Sequence, residues 1–409
     1  MNNRLGKREL KQLLLSHTLF EAGKQLFFVF VNLFIWNITN DIRIVALFNF
    51  VYMTAHTIVF TFTAYKVKKG RVIAIRSIGL VGLTFSFLLL LYLGQRSAQH
   101  IVFLSALFGA FNGMYWMTHH LIRFDLTHLE NRSNYIGIEK SGRIIVTMLV
   151  PVLGGLIITT NLFGLGYGMI FILGALCMTG ALVAGMIRIP DGGTPMHLKK
   201  TLPLILKNKD ILTLFVSSLF SNIGRRGAIE RLLPILIFDV LHNEFQLGGW
   251  LTMFATLSIL VSYIVGKHLH DQHYNRAMVW SAGITFLSYF TLIGFPTFFT
   301  YIIFGIITQV VEPILYVTKG TYSQNLIHAL PDYKAHRVEY LVIREWFAVG
   351  AGRAVGFIPL LFMPSLTGHT LQIVLLIMAG AILVETILLK QIRTSFHDLE
   401  QATGIRPPE

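Results

Sequence analysis

Apolar residues gather along this chain in twelve runs of about 20, separated by polar breaks, at residues 12–37, 43–65, 73–94, 99–122, 136–160, 164–188, 211–238, 246–267, 277–295, 298–321, 338–363 and 369–390. A helix of about 20 apolar residues crosses a bilayer. The pattern therefore predicts an all-α membrane protein with twelve transmembrane helices. The longest polar break divides it into a six-helix half (1–188), a cytoplasmic connector (189–210), a second six-helix half (211–390) and a cytoplasmic tail (391–409). Within the connector, residues 197–207 read either as a short amphipathic helix on the inner membrane surface or as a linker. A weak internal repeat supports the division. Phe108-Gly109 and Phe304-Gly305 each precede a helix end, and Tyr135–Lys140 matches Tyr340–Glu345 with the charges swapped.

Composition agrees. Of 409 residues, 54% are hydrophobic and 13% charged, which leaves too little polar surface for a soluble protein of this size. The net charge of +14 does not point to nucleic acid, because, with Arg43 and Arg96 as the main exceptions, the basic residues cluster in alternate connectors. They include Arg4, Lys7, Arg8 and Lys11, then Lys66, Lys68, Lys69 and Arg71, then Arg123 and Arg132, then Arg188, Lys199, Lys200, Lys207 and Lys209, and later Lys267, Lys334 and Arg393. Positive connectors stay inside, so a multi-pass protein of the plasma (inner) membrane with both termini cytoplasmic is expected. Cys177 is the one cysteine, which excludes an intramolecular disulfide. The N-terminal stretch lacks a cleavage pattern, so the first apolar run reads as a retained helix.

Polar side chains within the apolar runs are the candidate functional groups. Helical spacing puts His17, Glu21 and Lys24 on one face of the first helix. Ionisable groups at that depth are costly and face a bundle interior or a wet cavity. The alternative is that Glu21 and Lys24 only neutralise other buried charges. The fourth helix carries Asn112, Trp116, His119 and Arg123 on one face, and the tenth carries Gln309, Glu312 and Tyr316. The seventh offers Asn222, Arg225, Arg226 and Glu230, with Arg226 and Glu230 spaced as a local i, i+4 pair. Glu139, Lys140 and Arg143 in the fifth helix and Arg344, Glu345 and Arg353 in the eleventh read as ion pairs that stabilise or gate the halves.

Twelve helices in two halves, inner termini and a basic central connector resemble the major facilitator superfamily of secondary transporters. That family's motif between helices 2 and 3, Gly-x-x-x-Asp-Arg-x-Gly-Arg, is similar to Thr63-Ala-Tyr-Lys-Val67-Lys68-Lys69-Gly70-Arg71, although Thr63 and Val67 replace its Gly and Asp. Gly266–Asp271 resembles a degenerate second copy. Pro151-Val-Leu-Gly154-Gly155 resembles the tail of the exporters' signature, which favours export, although Val146 and Val150 stand where upstream glycines belong. The resemblance implies that helices 1, 4, 7 and 10 line a central cavity. His17, Lys24, Asn112, Trp116, His119, Arg225, Gln309 and Tyr316 then become substrate-binding candidates, and Glu21 and Glu312 proton-coupling candidates.

The expected function is proton-coupled movement of an amphiphilic or anionic organic solute by alternating access, with Glu21 as the main titrating group. A flippase for a lipid-linked substrate is the first alternative, and a transporter-like scaffold or sensor without flux is the second. The expected partners are a small-molecule or lipid-like substrate, membrane lipids and protons, acting on a monomer. Neither a cofactor nor a metal site is expected, and His268, His270, Asp271 and His273 read as solvated loop residues. Gly350–Gly356 lies in an apolar helix and reads as a packing surface rather than a nucleotide loop. With no nucleophile elbow, P-loop or zincin motif, an enzyme is not expected.

Overall fold

The computed structural model describes residues 3–67, 71–126, 129–187, 198–269, 273–328, 337–365 and 368–392. Lys68, Lys69, Gly70, Arg188, His270, Asp271, Lys334 and Arg393 lie outside the described residues, as do the side chains of Arg4, Lys7, Arg132 and Lys140. The described chain is helical throughout, with no strand among the described residues.

Twelve membrane helices follow the apolar runs. Helix α1 comprises Asn3–Leu26, a wider π turn Phe27–Val31 and Asn32–Thr39; then come α2 (Ile42–Val67), α3 (Val72–Leu93), α4 (Ile101–Leu126), α5 (Leu129–Thr159) and α6 (Tyr167–Ala184). After the connector helix Leu198–Lys207, α7 comprises Lys209–Ser221, a π turn Asn222–Gly227 and Ile229–Leu241. The rest are α8 (Glu244–His268), α9 (Tyr274–Gly294), α10 (Phe298–His328), the broken α11 (Arg337–Glu345, the π turn Trp346–Arg353, Ala354–Gly356 and Ile358–Leu361) and α12 (Gly368–Lys390).

Among the described residues, nine runs are apolar enough to cross a membrane, and one of them, Val72–Arg123, holds both α3 and α4. Helices α7 and α11 miss that threshold because they carry Arg225, Arg226, Glu230 and Arg231, and Arg344, Glu345 and Arg353. The connector resolves as a helix: Thr201 and Ile205 are buried while Lys199, Lys200 and Lys207 are exposed.

Two compact units form. The first is Met1–Pro195 with Ile237–Met253, and the second is Met196–Leu236 with Phe254–Glu409. The corner between α7 and α8 therefore groups with the first six helices. Small residues explain its seat. Gly155 packs on the backbone of Glu244 and Gly248 on that of Pro151, and Thr252 Oγ1 donates to the Met148 carbonyl at 2.6 Å. Tyr167 adds a polar tie by accepting from Asn37 Nδ2 (2.9 Å) and donating to Glu244 Oε1 (3.0 Å).

Within the first unit, Gly109 and Gly113, one turn apart, let α4 approach α2. A methyl group on Gly113 would sit 2.5 Å from the His56 carbonyl oxygen. Overfilling a packed contact costs about 1–3 kcal/mol. Gly113→Leu is expected to lower thermal stability in detergent by about that amount, and an unchanged melting curve would show that the contact is slack. The second unit has its own core, built on Phe215, Met278, Leu315, Tyr322, Tyr340 and Leu389.

Candidate functional site

The polar face of α1 is buried within the first unit. Ser16, His17 and Glu21 are buried, and the i, i+4, i+7 spacing does bring His17, Glu21 and Lys24 together. Lys24 Nζ donates to both oxygens of Glu21, at 2.5 and 2.7 Å. Arg143 of α5 brings Nε to 3.5 Å from Glu21 Oε2.

Helix α4 supplies the facing wall. Tyr115 stacks on Phe20 with ring centroids 3.5 Å apart, and His119 stacks on His17 at 3.9 Å. Trp116 stands edge-on to His17 and Phe20, and the Lys24 ammonium lies 4.9 Å from its ring centroid, a cation–π distance. The His17 Nδ1 and the Tyr115 hydroxyl are 2.9 Å apart. Glu139 enters from α5, where it accepts from Arg123 Nη1 at 3.0 Å and lies 3.8 Å from His17 Nε2 and 3.7 Å from His119 Nε2.

Beside this cluster runs a crevice walled by Phe20, Phe27, Tyr52, Phe87 and Phe108, with Lys24 and Asn112 as its polar members. Asn112 is fixed by a 2.8 Å hydrogen bond between its Nδ2 and His56 Nδ1. The crevice encloses about 220 Å³, open solvent included. Most of that is open space and the enclosed part holds little more than one water molecule, so an organic solute requires the crevice to open.

In the second unit the charged residues fall into two groups. Arg225 is buried and donates from Nη2 to Glu385 Oε2 at 3.0 Å, while Lys319 donates to the other carboxylate oxygen at 2.9 Å. Arg226 Nε donates to Glu312 Oε1 at 2.7 Å and its guanidinium lies over the Tyr316 ring at 4.9 Å. The local Arg226–Glu230 pair expected from spacing does not form, because Glu230 pairs with Arg231 at 2.6 Å instead. The π turn over Asn222–Gly227 resets the register just before Glu230. Arg353 Nε donates to Asn222 Oδ1 at 3.1 Å. Tyr316 is 47% exposed and Gln309 and Arg344 are half-buried, whereas Glu345 is buried.

Sequence reasoning missed Arg76, Tyr115, Lys319 and Glu385. Arg76 is buried in α3 and donates from Nη2 to Ser16 Oγ at 2.8 Å, while that hydroxyl donates to the Ala181 carbonyl at 2.5 Å. The missed signal was a single charge in an otherwise apolar run, as for Arg76 in α3 and Glu385 in α12.

The sequence profile described as Major Facilitator Superfamily matches residues 13–330. An uncharacterised protein of Bacillus subtilis (strain 168), YqgE, is 22% identical over 352 residues, covering 85% of this chain and 81% of that protein. An uncharacterised Geobacillus stearothermophilus protein encoded in the sodM 3′ region is 29% identical over 168 residues, 40% of this chain and 77% of that protein. Among solved structures, a point mutant of the nucleoside transporter NupG superposes with a TM-score of 0.70 at 11% identity, covering 94% of this chain and all of the other. A bacterial homologue of the human lysosomal transporter Spinster gives 0.69 at 13% identity, over 99% of this chain and 98% of the other. An inward-facing bacterial homologue of the iron transporter ferroportin gives 0.68 at 12% identity, over 94% and 98%. At such identities the structures share the fold alone. The profile match over most of the chain settles the family: this is a multi-pass membrane transporter that belongs to the Major Facilitator Superfamily.

Proposed function

We propose that the protein is a proton-coupled secondary transporter of the plasma membrane that exports an amphiphilic solute with an anionic head group. The observation that carries this reading is the aromatic crevice with Lys24 and Asn112 as its polar members. Phe20, Phe27, Tyr52, Phe87 and Phe108 suit an apolar body, and the ammonium of Lys24 suits an anionic head. Glu21 holds Lys24 in place until the head group competes for it.

Both oxygens of Glu21 are taken by Lys24, so a proton would have to displace the lysine. The reading therefore assigns coupling to Glu312, which pairs through a single oxygen with Arg226 at 2.7 Å. Outward direction rests on the likeness of Pro151–Gly155 to the exporters' signature, and the cytoplasmic termini rest on the positive connectors. The protein acts as a monomer in this scheme.

Flux of a panel of amphiphilic organic anions into proteoliposomes under an imposed pH gradient tests the reading. A hydrogen bond to a charged group is worth about 1.5–3 kcal/mol, or roughly 10- to 100-fold in affinity. Lys24→Met is expected to raise the half-saturation concentration of the anion by that factor and to spare its neutral analogue. An equal effect on both would remove Lys24 as the head-group site.

A further inference from the structure

Three helices of the first unit each bring one ligand-type side chain to a single buried point: His17 from α1, His119 from α4 and Glu139 from α5. One donor atom from each lies within 4.8 Å of the other two. His17 Nε2 is 3.8 Å from Glu139 Oε1, and His119 Nε2 is 3.7 Å from Glu139 Oε2. Those separations are too long for hydrogen bonds, which run to about 3.2 Å. They lie closer to the spacing of two ligands on one ion. Bonds of about 2.0–2.2 Å at a tetrahedral angle put neighbouring ligand atoms about 3.4 Å apart. One of the two imidazoles, which stack face to face at 3.9 Å, has to turn out of the stack for both Nε2 lone pairs to meet one ion.

The polar groups themselves are unsatisfied. Both ring nitrogens of His119 and Glu139 Oε2 are buried without a hydrogen-bond partner, although buried polar atoms are normally paired. His17 is oriented from behind, because its Nδ1 meets the Tyr115 hydroxyl at 2.9 Å and leaves Nε2 toward the carboxylate. A partner on the second ring nitrogen is how a ligating histidine is usually held. Glu21 Oε1, 3.7 Å from His17 Nε2, is a nearby further oxygen.

We propose that His17, His119 and Glu139 form a binding site for a divalent transition cation of the zinc class, which departs from the expectation of no metal site. Two imidazole nitrogens and one carboxylate select Zn²⁺, Co²⁺ or Ni²⁺ over Mg²⁺ and Ca²⁺, which take oxygen ligands. Arg123 is the competitor, since its guanidinium bonds Glu139 Oε1 at 3.0 Å. The arginine side chain is 30% exposed, so it has a route to solvent when the ion takes the carboxylate. An ion held in this way ties α1, α4 and α5 together and brakes any movement among them.

The test uses the purified full chain in detergent, titrated with Zn²⁺ by calorimetry and with Co²⁺ by visible absorption. The expected result is one equivalent of either ion, a tetrahedral Co²⁺ spectrum and no response to Mg²⁺. His119→Gln and Glu139→Gln are each expected to weaken binding at least about tenfold, and Tyr115→Phe by about 10- to 100-fold through the orientation of His17. Arg123→Gln is expected to tighten it by removing the rival cation, and a variant lacking His268 and His273 should bind as the parent does. Size-exclusion profiles identify any variant that fails to fold, and the Arg123 variant remains informative in that case. Binding that survives His119→Gln, or that Arg123→Gln fails to strengthen, overturns the proposal.

Discussion

Glu385→Ala is expected to remove most of the folded protein. Glu385 is 0% exposed in α12, and it receives Arg225 from α7 and Lys319 from α10 at 3.0 and 2.9 Å. One carboxylate thus neutralises two cations and joins three helices of the second unit. Breaking a buried pair from one side costs about 3–5 kcal/mol, because the remaining charge is left without its counter-ion. Here two charges are left. Arg225 is already burdened, with Nε and Nη1 buried and unpartnered, so it has no second acceptor to turn to. Against a total stability of about 5–15 kcal/mol, that loss is decisive. The measurement is the monodisperse fraction after extraction, together with the melting curve of whatever survives. Adding Lys319→Met to the alanine variant is expected to recover part of the loss, since one uncompensated cation is then removed. A single variant that melts with the parent would show that this carboxylate does not support the fold.

Whether a residue was legible depended on the kind of contact it makes. The twelve helices follow from apolar runs alone, because the bilayer demands about 20 apolar residues wherever a helix crosses. The grouping of His17, Glu21 and Lys24 follows from helical spacing, and so does the common face of Asn112, Trp116 and His119. Contacts between helices distant in sequence were not legible. Glu139 and Arg143 read only as members of ion pairs that stabilise or gate the halves, and the spacing did not show that Glu139 meets Arg123 or that Arg143 lies near Glu21. Glu385 has no charged neighbour at helical spacing, and its two partners lie 66 and 160 residues away. The π turns were equally hidden. They shift the register after Phe27 and after Asn222, and the second one leaves Glu230 to Arg231 rather than Arg226. The metal-type trio was missed for a related reason. His17 and His119 were each assigned to a helix face, and only tertiary packing stacks them and sets Glu139 across from both.

Glu312→Gln is expected to separate solute movement from the proton gradient. Glu312 and Arg226 form a 2.7 Å pair between α10 and α7, and their side chains are 23% and 27% exposed. That exposure distinguishes the pair from the sealed Glu385 cluster, whose carboxylate is 0% exposed. The groups facing Glu312 are the Arg226 guanidinium and, beneath that guanidinium, the Tyr316 ring. Glutamine keeps the shape of the side chain and fixes it in the neutral state, so the tie between α10 and α7 is weakened at every pH. One pH unit across the membrane is worth about 1.4 kcal/mol per proton, or about tenfold in accumulated solute. In proteoliposomes holding such a gradient, the parent is expected to concentrate its solute about tenfold for each proton exchanged. The glutamine variant should only equilibrate it, while exchange of labelled for unlabelled solute continues. Glu312→Asp keeps a titrating carboxylate and is expected to retain part of the accumulation. If the glutamine variant still concentrates solute against its gradient, the coupling proton binds elsewhere. Lost exchange together with lost accumulation would instead make the pair a structural tie between α7 and α10.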